Sequence, residues 1–421
     1  MTTARFVALA AGLGSIGFIA SFELVNWLAT QHVYGSLHDA LDVGLYQFYG
    51  HQILAGGVPY RTFGLEYPPF ALPAFVVPAL LSGDSPDPGA FRMAFQATML
   101  VCGILTLGLV VSTLTTVTDR RADIAVAAGF VAVSPLLVGP VILARFDLWP
   151  VLLTAIAVAA VVRGRYRSGA AFVALAILAK VYSVVLVPLL VAYVWRRAGR
   201  REALVCGGIG AAVLLLVLGP FLIAATGGTI DVVGRVVARP LQVESLGGAL
   251  LFVLHGIAGT DLHQVFSYGS DNVEGPVAGA FAAAQGVALG AWLIWIWLRF
   301  AKGAGEPVQL LLAAAAAVSA SIALGKVLSD NYVVWLIPLV AVVPGRPGRI
   351  GMALLAAVLV LTAVVYPISY TAFVVDHDPV AAVVVLLRAV DVLALAIYLT
   401  ARARPASSRL PPFRSARATA G

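Results

Sequence analysis

Apolar residues run along this chain in blocks of bilayer length, separated by short segments rich in Arg, Gly and Pro, rather than recurring on one helical face. Blocks of that length predict membrane-spanning helices, because ~20 residues rising 1.5 Å each cross a ~30 Å hydrocarbon core. The pattern places helices over residues 6–29, 91–117, 122–143, 148–162, 170–179, 181–195, 203–225, 277–298, 308–324, 332–343, 350–373 and 380–400. Several are shorter than a straight crossing, which is tolerable where neighbours bury the helix or it lines a wet cavity. Residues 69–81 are apolar, but short and punctuated by Pro69, Pro73 and Pro78, and suit either a crossing or an interfacial hairpin. Residues 6–29 are too long for a signal-peptide core and lack a small-residue cleavage site, so they read as a retained anchor.

Composition agrees with this class. Of 421 residues, 61% are hydrophobic and 11% charged, with a mean hydropathy of +0.97; a soluble domain carries roughly twice that charged share. Cys102 and Cys206 both fall inside apolar blocks and support neither a disulfide framework nor a metal site.

Charge then orients the chain. With a cytoplasmic N-terminus and residues 69–81 not crossing, nineteen of the 27 basic residues lie inside, leaving eight outside. A crossing there would turn most of the Arg clusters outward, against the positive-inside rule. Fourteen of the 20 acids fall on the outer side, as do both long loops, residues 30–68 and 226–276. The inner connections are short, basic and without a nucleotide-binding motif. The net charge of +7 is accounted for by anchoring to the anionic inner leaflet, and nothing points to nucleic acid. The expectation is one integral membrane domain over residues 1–400 and a basic, disordered cytoplasmic tail over 401–421. Both termini are then cytoplasmic in a multi-pass plasma-membrane protein whose chemistry faces outward.

The first outer loop is the most informative. It holds Asp39 and Asp42, then a run from Val43 to Leu54 in which Leu45, Phe48, Tyr49, Gln52 and Ile53 recur at spacings of three and four, as in an interfacial helix. Asp42 suits either a helix N-cap or a catalytic role. Gly56-Gly57-Val58-Pro59-Tyr60 and Glu66-Tyr67-Pro68-Pro69 follow. Charges also stand where spans emerge: Arg145 and Asp147, Lys180 in an outer hairpin, Arg239 and Glu244 opening an expected interfacial helix, and Lys326 to Asp330. Charge at that depth is costly and marks function. The plainer reading pairs Arg145 with Asp147 and lets Lys180 and Lys326 snorkel to the surface.

The ordered set of Asp42 with Tyr46, Gly56 to Tyr60, Glu66 to Pro69, the Lys180 hairpin, Arg239-Pro240-Leu241-Gln242 and Ser329 to Trp335 resembles glycosyltransferase family 87. These are membrane mannosyltransferases of the GT-C superfamily that use polyprenyl-phosphate sugars. The resemblance spans most of residues 6–344, and the chain departs from the family pattern at Val43-Gly44-Leu45 and at Asp330-Asn331. It implies a GT-C-like, all-α polytopic fold with about twelve transmembrane helices and interfacial helices in the first outer loop. It also implies a metal-independent, cofactor-free enzyme that moves mannose to an envelope glycolipid or polysaccharide.

Residue chemistry fits that expectation. Inverting transfer from a polyprenyl phosphate is one displacement, needing a carboxylate to take the acceptor's proton and cations to hold the leaving phosphate. Asp42 is the expected base, with Asp39 its rival. Arg145, Lys180 and Arg239 are the expected phosphate ligands; Glu66, Tyr67, Asp147 and Glu244 are candidates for sugar or acceptor. No His/Asp/Glu cluster requires a metal. A lipid or solute transporter would show an internal repeat and paired broken helices, and no repeat is visible. An inactive scaffold of the same fold is the other alternative. Sugar transfer in membranes overexpressing the chain discriminates among the three.

Overall fold

The computed structural model describes residues 3–34, 42–83, 87–303 and 305–403. Asp39, Asp84 and residues 404–421, which make up nearly all of the expected disordered tail, lie outside the described residues.

Helix α1 (Thr3–Thr30) covers the first apolar block. Within the first long loop lies α2 (Val43–Leu54), followed by a 3₁₀ turn at Pro69–Ala71 and α3 (Pro73–Ser82). The ten residues of α3 cover about 15 Å, half a hydrocarbon core. Then α4 (Pro88–Leu114) and α5 (Arg121–Val138) follow. The block expected over 122–143 is broken at Gly139, whose φ of 65° favours glycine; a single turn, α6 (Val141–Ala144), resumes beyond it. Helix α7 (Leu148–Val162) has the expected bounds, and α8 (Tyr166–Ala179) begins four residues early.

The blocks expected over 181–195 and 203–225 become a 3₁₀ segment and one long helix, α9 (Val187–Ala224), bent sharply at Gly199 where φ is 85°. Val194 and Ala203, on either side of the bend, pack with Tyr166 and Ala170. Phe221 of the second leg meets the Tyr60 ring edge-on, 5.6 Å between centroids, so that leg runs back towards the first long loop. The second long loop holds α10 (Thr226–Ala238), β1 (Leu241–Gln242), α11 (Leu246–Ala258), β2 (His263–Ser267) and β3 (Ser270–Glu274). The strands form an antiparallel sheet in the order β1-β3-β2. The helix expected to open at Arg239 starts only at Leu246, where the Ser245 hydroxyl accepts the Gly248 N–H; Leu241 and Gln242 pair as a strand instead. The remaining elements are α12 (Pro276–Lys302), α13 (Pro307–Ala323), α14 (Leu336–Ala341), α15 (Gly345–Ala363), α16 (Tyr370–Val374) and α17 (Pro379–Arg402).

The result is a helical membrane protein. Among the described residues, seven helices are long and apolar enough to cross a bilayer, and six shorter apolar segments accompany them; the expected twelve or so spans include shorter ones. Helix α13 shows why a short segment is tolerated. Its alanine-rich run, Ala313 to Ala317, is wholly buried, and small side chains let neighbouring helices approach closely.

The two ends of the bundle differ in charge. At one end the Arg121 guanidinium lies over the Phe6 ring, Arg167 pairs with Glu202 at 2.9 Å, Arg349 lies 3.9 Å from Asp123, and Arg163 donates to Ser112. These are the clusters that charge counting puts inside. Asp42, Arg145, Lys180, Arg239 and Asp330 gather at the opposite end.

Candidate functional site

At that opposite end lies a cavity of about 570 Å³, within the ~300–1,000 Å³ usual for small-molecule sites. Its walls come from distant parts of the chain: Asp42, Glu66 and Tyr67 from the first loop, Arg145 and Lys180 from helix ends, Arg239, Gln242, Glu244 and the β2–β3 hairpin from the second loop, and Ser329 to Tyr332.

Asp42 precedes α2, yet its side chain caps nothing. Its carboxylate accepts instead from Arg145 Nη1 and from the Tyr46 hydroxyl, the latter at 3.2 Å. An aromatic cluster holds this arrangement. Tyr46 stacks on Phe75 at 4.7 Å, and Tyr67 packs edge-on against Phe146 at 4.7 Å. The buried face of α2 is Val43, Tyr46, Tyr49 and Gly50, whereas Phe48, expected on the apolar stripe, is exposed. Helix α3 comes so close that a Cβ on Gly50 would sit 2.6 Å from the Phe75 carbonyl oxygen. Burial holds the Tyr46 and Tyr67 phenols well above 10, so both stay neutral donors.

Arg145 does not pair with Asp147, as the plainer reading had it. Its second terminal nitrogen lies 3.4 Å from each Asp330 oxygen, and Ser329 donates to Asp330 at 2.8 Å. Burial works against the Arg145 charge, but Asp330 and Asp42 outweigh it and hold the guanidinium well above its usual range. Asp42, Arg145 and Asp330 together form a partly buried acid–base–acid bridge between the first loop and the segment before α14.

Asp147 corrects the expectation that it binds sugar. It is 1% exposed, turned inward at the start of α7, and outside the cavity lining. Its carboxylate accepts from Lys180 Nζ at 2.6 Å, Trp335 Nε1 at 2.5 Å and Asn331 Nδ2 at 2.7 Å. Lys180 does not snorkel. It reaches the cavity wall, but its ammonium is bound to Asp147 and surrounded by the rings of Phe146, Tyr332 and Trp335. Burial pulls its pKa below the usual lysine range, and Asp147 opposes that pull.

No model of a known protein family matches the chain, and no curated protein matches it. The chemistry of the site rests on its own residues.

Arg239 differs from the other two cations. It donates to a neutral group, the Ser270 hydroxyl at 2.9 Å, and its Nε, like that of Arg145, is buried without a hydrogen-bond partner. Glu66 is exposed at the rim, and Tyr67 lines the wall with its ring packed in the aromatic cluster. Glu244 lines the cavity while bound to Arg388 at 3.1 Å. Gln242 joins this pair, donating to Glu244 at 3.2 Å and accepting the Leu328 N–H at 2.8 Å. Burial pushes the Glu244 carboxyl up to about 7, and Arg388 opposes the push. Among the described residues, no group of three His, Cys, Asp or Glu side chains is placed to hold a metal ion. A second cavity of about 230 Å³, between α8 and the two legs of α9, is lined mostly by apolar residues such as Val173 and Leu190 and offers no carboxylate, imidazole or cation.

Sequence reasoning marked the Ser329 to Trp335 segment but gave Asp330 and Asn331 no role in the site, and it missed Arg388. Arg388 had a visible signal: it is a charge well inside an apolar span, three residues before Asp391, and such a charge marks function by default. Charge counting left it among the eight outer bases, whereas it lies within α17 with no exposed surface.

Proposed function

We propose that the chain is an inverting glycosyltransferase of the family 87 type. It would move a sugar, mannose first, from a polyprenyl-phosphate donor to a glycolipid or glycan acceptor on the outer face of the membrane. The observation that carries this reading is Asp42, a carboxylate that caps no helix and is held by Arg145 and Tyr46 in the wall of a cavity that also presents Arg239. In the reaction, Asp42 takes the proton of the acceptor hydroxyl. The acceptor oxygen bonds to the anomeric carbon as the carbon–phosphate oxygen bond breaks, and polyprenyl phosphate leaves with its charge held by cations. The test is transfer by the purified protein in nanodiscs, with polyprenyl-phosphate mannose and other polyprenyl-phosphate sugars as donors. Absence of transfer with every such donor and a panel of glycolipid acceptors overturns the reading.

Within this proposal, Arg239 is the principal phosphate ligand, because Arg145 and Lys180 are already bound to carboxylates. Arg239→Gln should raise the donor KM by about 10- to 100-fold, the loss of one charge-assisted hydrogen bond of about 1.5–3 kcal/mol. The acceptor KM should stay within about twofold on that principle of separate contacts. Steady-state kinetics with each substrate varied in turn checks this, and an unchanged donor KM removes Arg239 from the donor site.

The proposed orientation has its own test. In a Cys102→Ser, Cys206→Ser background, cysteines replacing the exposed Gly64 and Asp261 should react with an impermeant thiol reagent on intact cells. Cysteines replacing the exposed Arg165 and Arg200 should react only after permeabilisation. The reverse pattern would place the cavity on the cytoplasmic side.

A further inference from the structure

The second long loop holds two large apolar side chains out in the open beside a polar cavity. Phe266 is 76% exposed and Tyr268 40% exposed, and both belong to the cavity wall. Single exposed apolar residues are ordinary. Two aromatic rings at the tip of one hairpin, lining a site with charged walls, form a contact surface with an apolar body and a polar edge.

The backbone shows that this placement is held against local preference. Tyr268 has φ 54° and Gly269 φ 71°, the pattern of a two-residue type I′ turn that Asn-Gly or Asp-Gly normally fills. A tyrosine in the left-handed region is unfavourable, and such residues persist where the surroundings hold them, often at binding sites. Here the surroundings are specific. Asn272 is fully buried, and its side-chain amide donates to the Ser267 and Ser270 carbonyls at 2.7 and 2.9 Å, across the turn. Arg239 donates to the Ser270 hydroxyl. Strand β3 pairs with β1, which leads directly to Glu244, and Tyr370 donates to Asp271 at 2.9 Å. The hairpin is thus a preorganised wall, and a ligand binding there does not have to order it.

The chemistry around the tip selects an occupant. A Cβ on Gly269 would lie 3.7 Å from a Glu66 carboxylate oxygen, and Asp271 lines the same cavity. With Arg239, which meets the hairpin at Ser270, given to the donor phosphate, the two carboxylates remain to disfavour a second anionic group here, and an acyl or prenyl chain would leave them desolvated. A pyranose ring fits both features: its C–H face packs on an aromatic ring, and its hydroxyls donate to carboxylates. We propose that Phe266 and Tyr268 form the platform for the acceptor's sugar ring, with Glu66 and Asp271 receiving its hydroxyls. The platform is a carbohydrate-binding surface in its own right; that its sugar is the acceptor rests on the transferase reading.

The test separates the two. Octyl α-mannoside, α-glucoside and β-galactoside are titrated against the full chain in nanodiscs by saturation-transfer NMR, and transfer to the same glycosides is assayed in parallel. Phe266→Ala and Tyr268→Ala should each weaken glycoside binding about 10-fold, with donor affinity within about twofold. Phe266→Trp should retain binding. Tyr268→Asn places a residue suited to positive φ in the turn, so loss of binding with an unchanged thermal melt reports a lost contact rather than a lost fold. Failure of every glycoside to bind the wild-type chain overturns the platform, as does wild-type affinity in the Ala variants. So does a parallel fall in donor affinity, which would assign the hairpin to the lipid donor. Hairpin-dependent binding without transfer sinks the transferase reading and leaves the platform standing; transfer with hairpin-independent binding does the opposite.

Discussion

Asp42→Asn is expected to lower sugar transfer by about 10²–10⁴-fold, the range for losing a general base, while the protein stays folded and binds donor. Asparagine keeps the shape of the side chain, and its amide oxygen can still accept from Tyr46 and Arg145. It cannot take up a proton. A capping explanation does not compete, because the Asp42 side chain accepts no bond from the first turn of α2, and Asn would cap about as well in any case. Arg145 keeps Asp330 as a counter-ion in the variant, so its charge is not stranded. Asp330→Asn is the matching control. It removes the other carboxylate of the same bridge but leaves the proposed base ionisable, and it should cost far less activity. Initial rates at saturating donor, with donor binding measured separately, decide the matter. An active Asp42→Asn enzyme beside an inactive Asp39→Asn enzyme would transfer the role to Asp39; two active variants would remove the first loop from the chemistry.

Arg388→Met should destabilise the protein by about 3–5 kcal/mol, the cost of breaking a buried ion pair by removing one partner. Arg388 has no exposed surface and Glu244 is 3% exposed. Without the guanidinium, burial alone acts on the Glu244 carboxyl, which already stands near 7, and the group takes up a proton rather than remain a bare buried charge. The damage spreads because Glu244 also accepts from Gln242, which receives the Leu328 N–H; the pair therefore ties α17 to the second loop and to the segment before α14. The double variant Arg388→Met, Glu244→Gln leaves no unpaired charge and should recover most of the loss. Thermal unfolding of the four proteins in one detergent closes the cycle and isolates the coupling. A single variant that melts with the wild type would mean that the pair contributes nothing to stability.

Much of this protein is legible in one dimension. The free energy of moving a residue from water to hydrocarbon belongs mainly to that residue, so runs of Leu, Val and Ala mark helices whatever surrounds them. Helix α7 accordingly has its expected bounds, and α2 starts at Val43 and ends at Leu54. Segregation of charge is similarly readable: clusters near Arg163 and Arg349 fall at one end of the bundle, and Asp42, Arg145 and Lys180 at the other. Even the break at Gly139 arises where an apolar run meets a glycine, and the bend at Gly199 where the basic stretch Arg196 to Arg201 separates two apolar runs.

Partnership was decided only by tertiary structure. Arg145 lies two residues from Asp147, yet it bridges Asp42, 103 positions away, and Asp330, 185 positions away. Asp147 turns inward to Lys180 and Trp335. Nothing local distinguishes these outcomes, because which acid meets which base depends on helix ends brought together by packing between segments far apart in the chain. The same holds for Arg388 and Glu244, and for Asn272, whose amide closes a hairpin turn that places Phe266 and Tyr268 on the cavity wall. The sequence by itself determined which side chains must stand at membrane depth and at which end; only the fold, by excluding water from some of them and pairing them off, decided which are committed to holding the site together and which remain for chemistry.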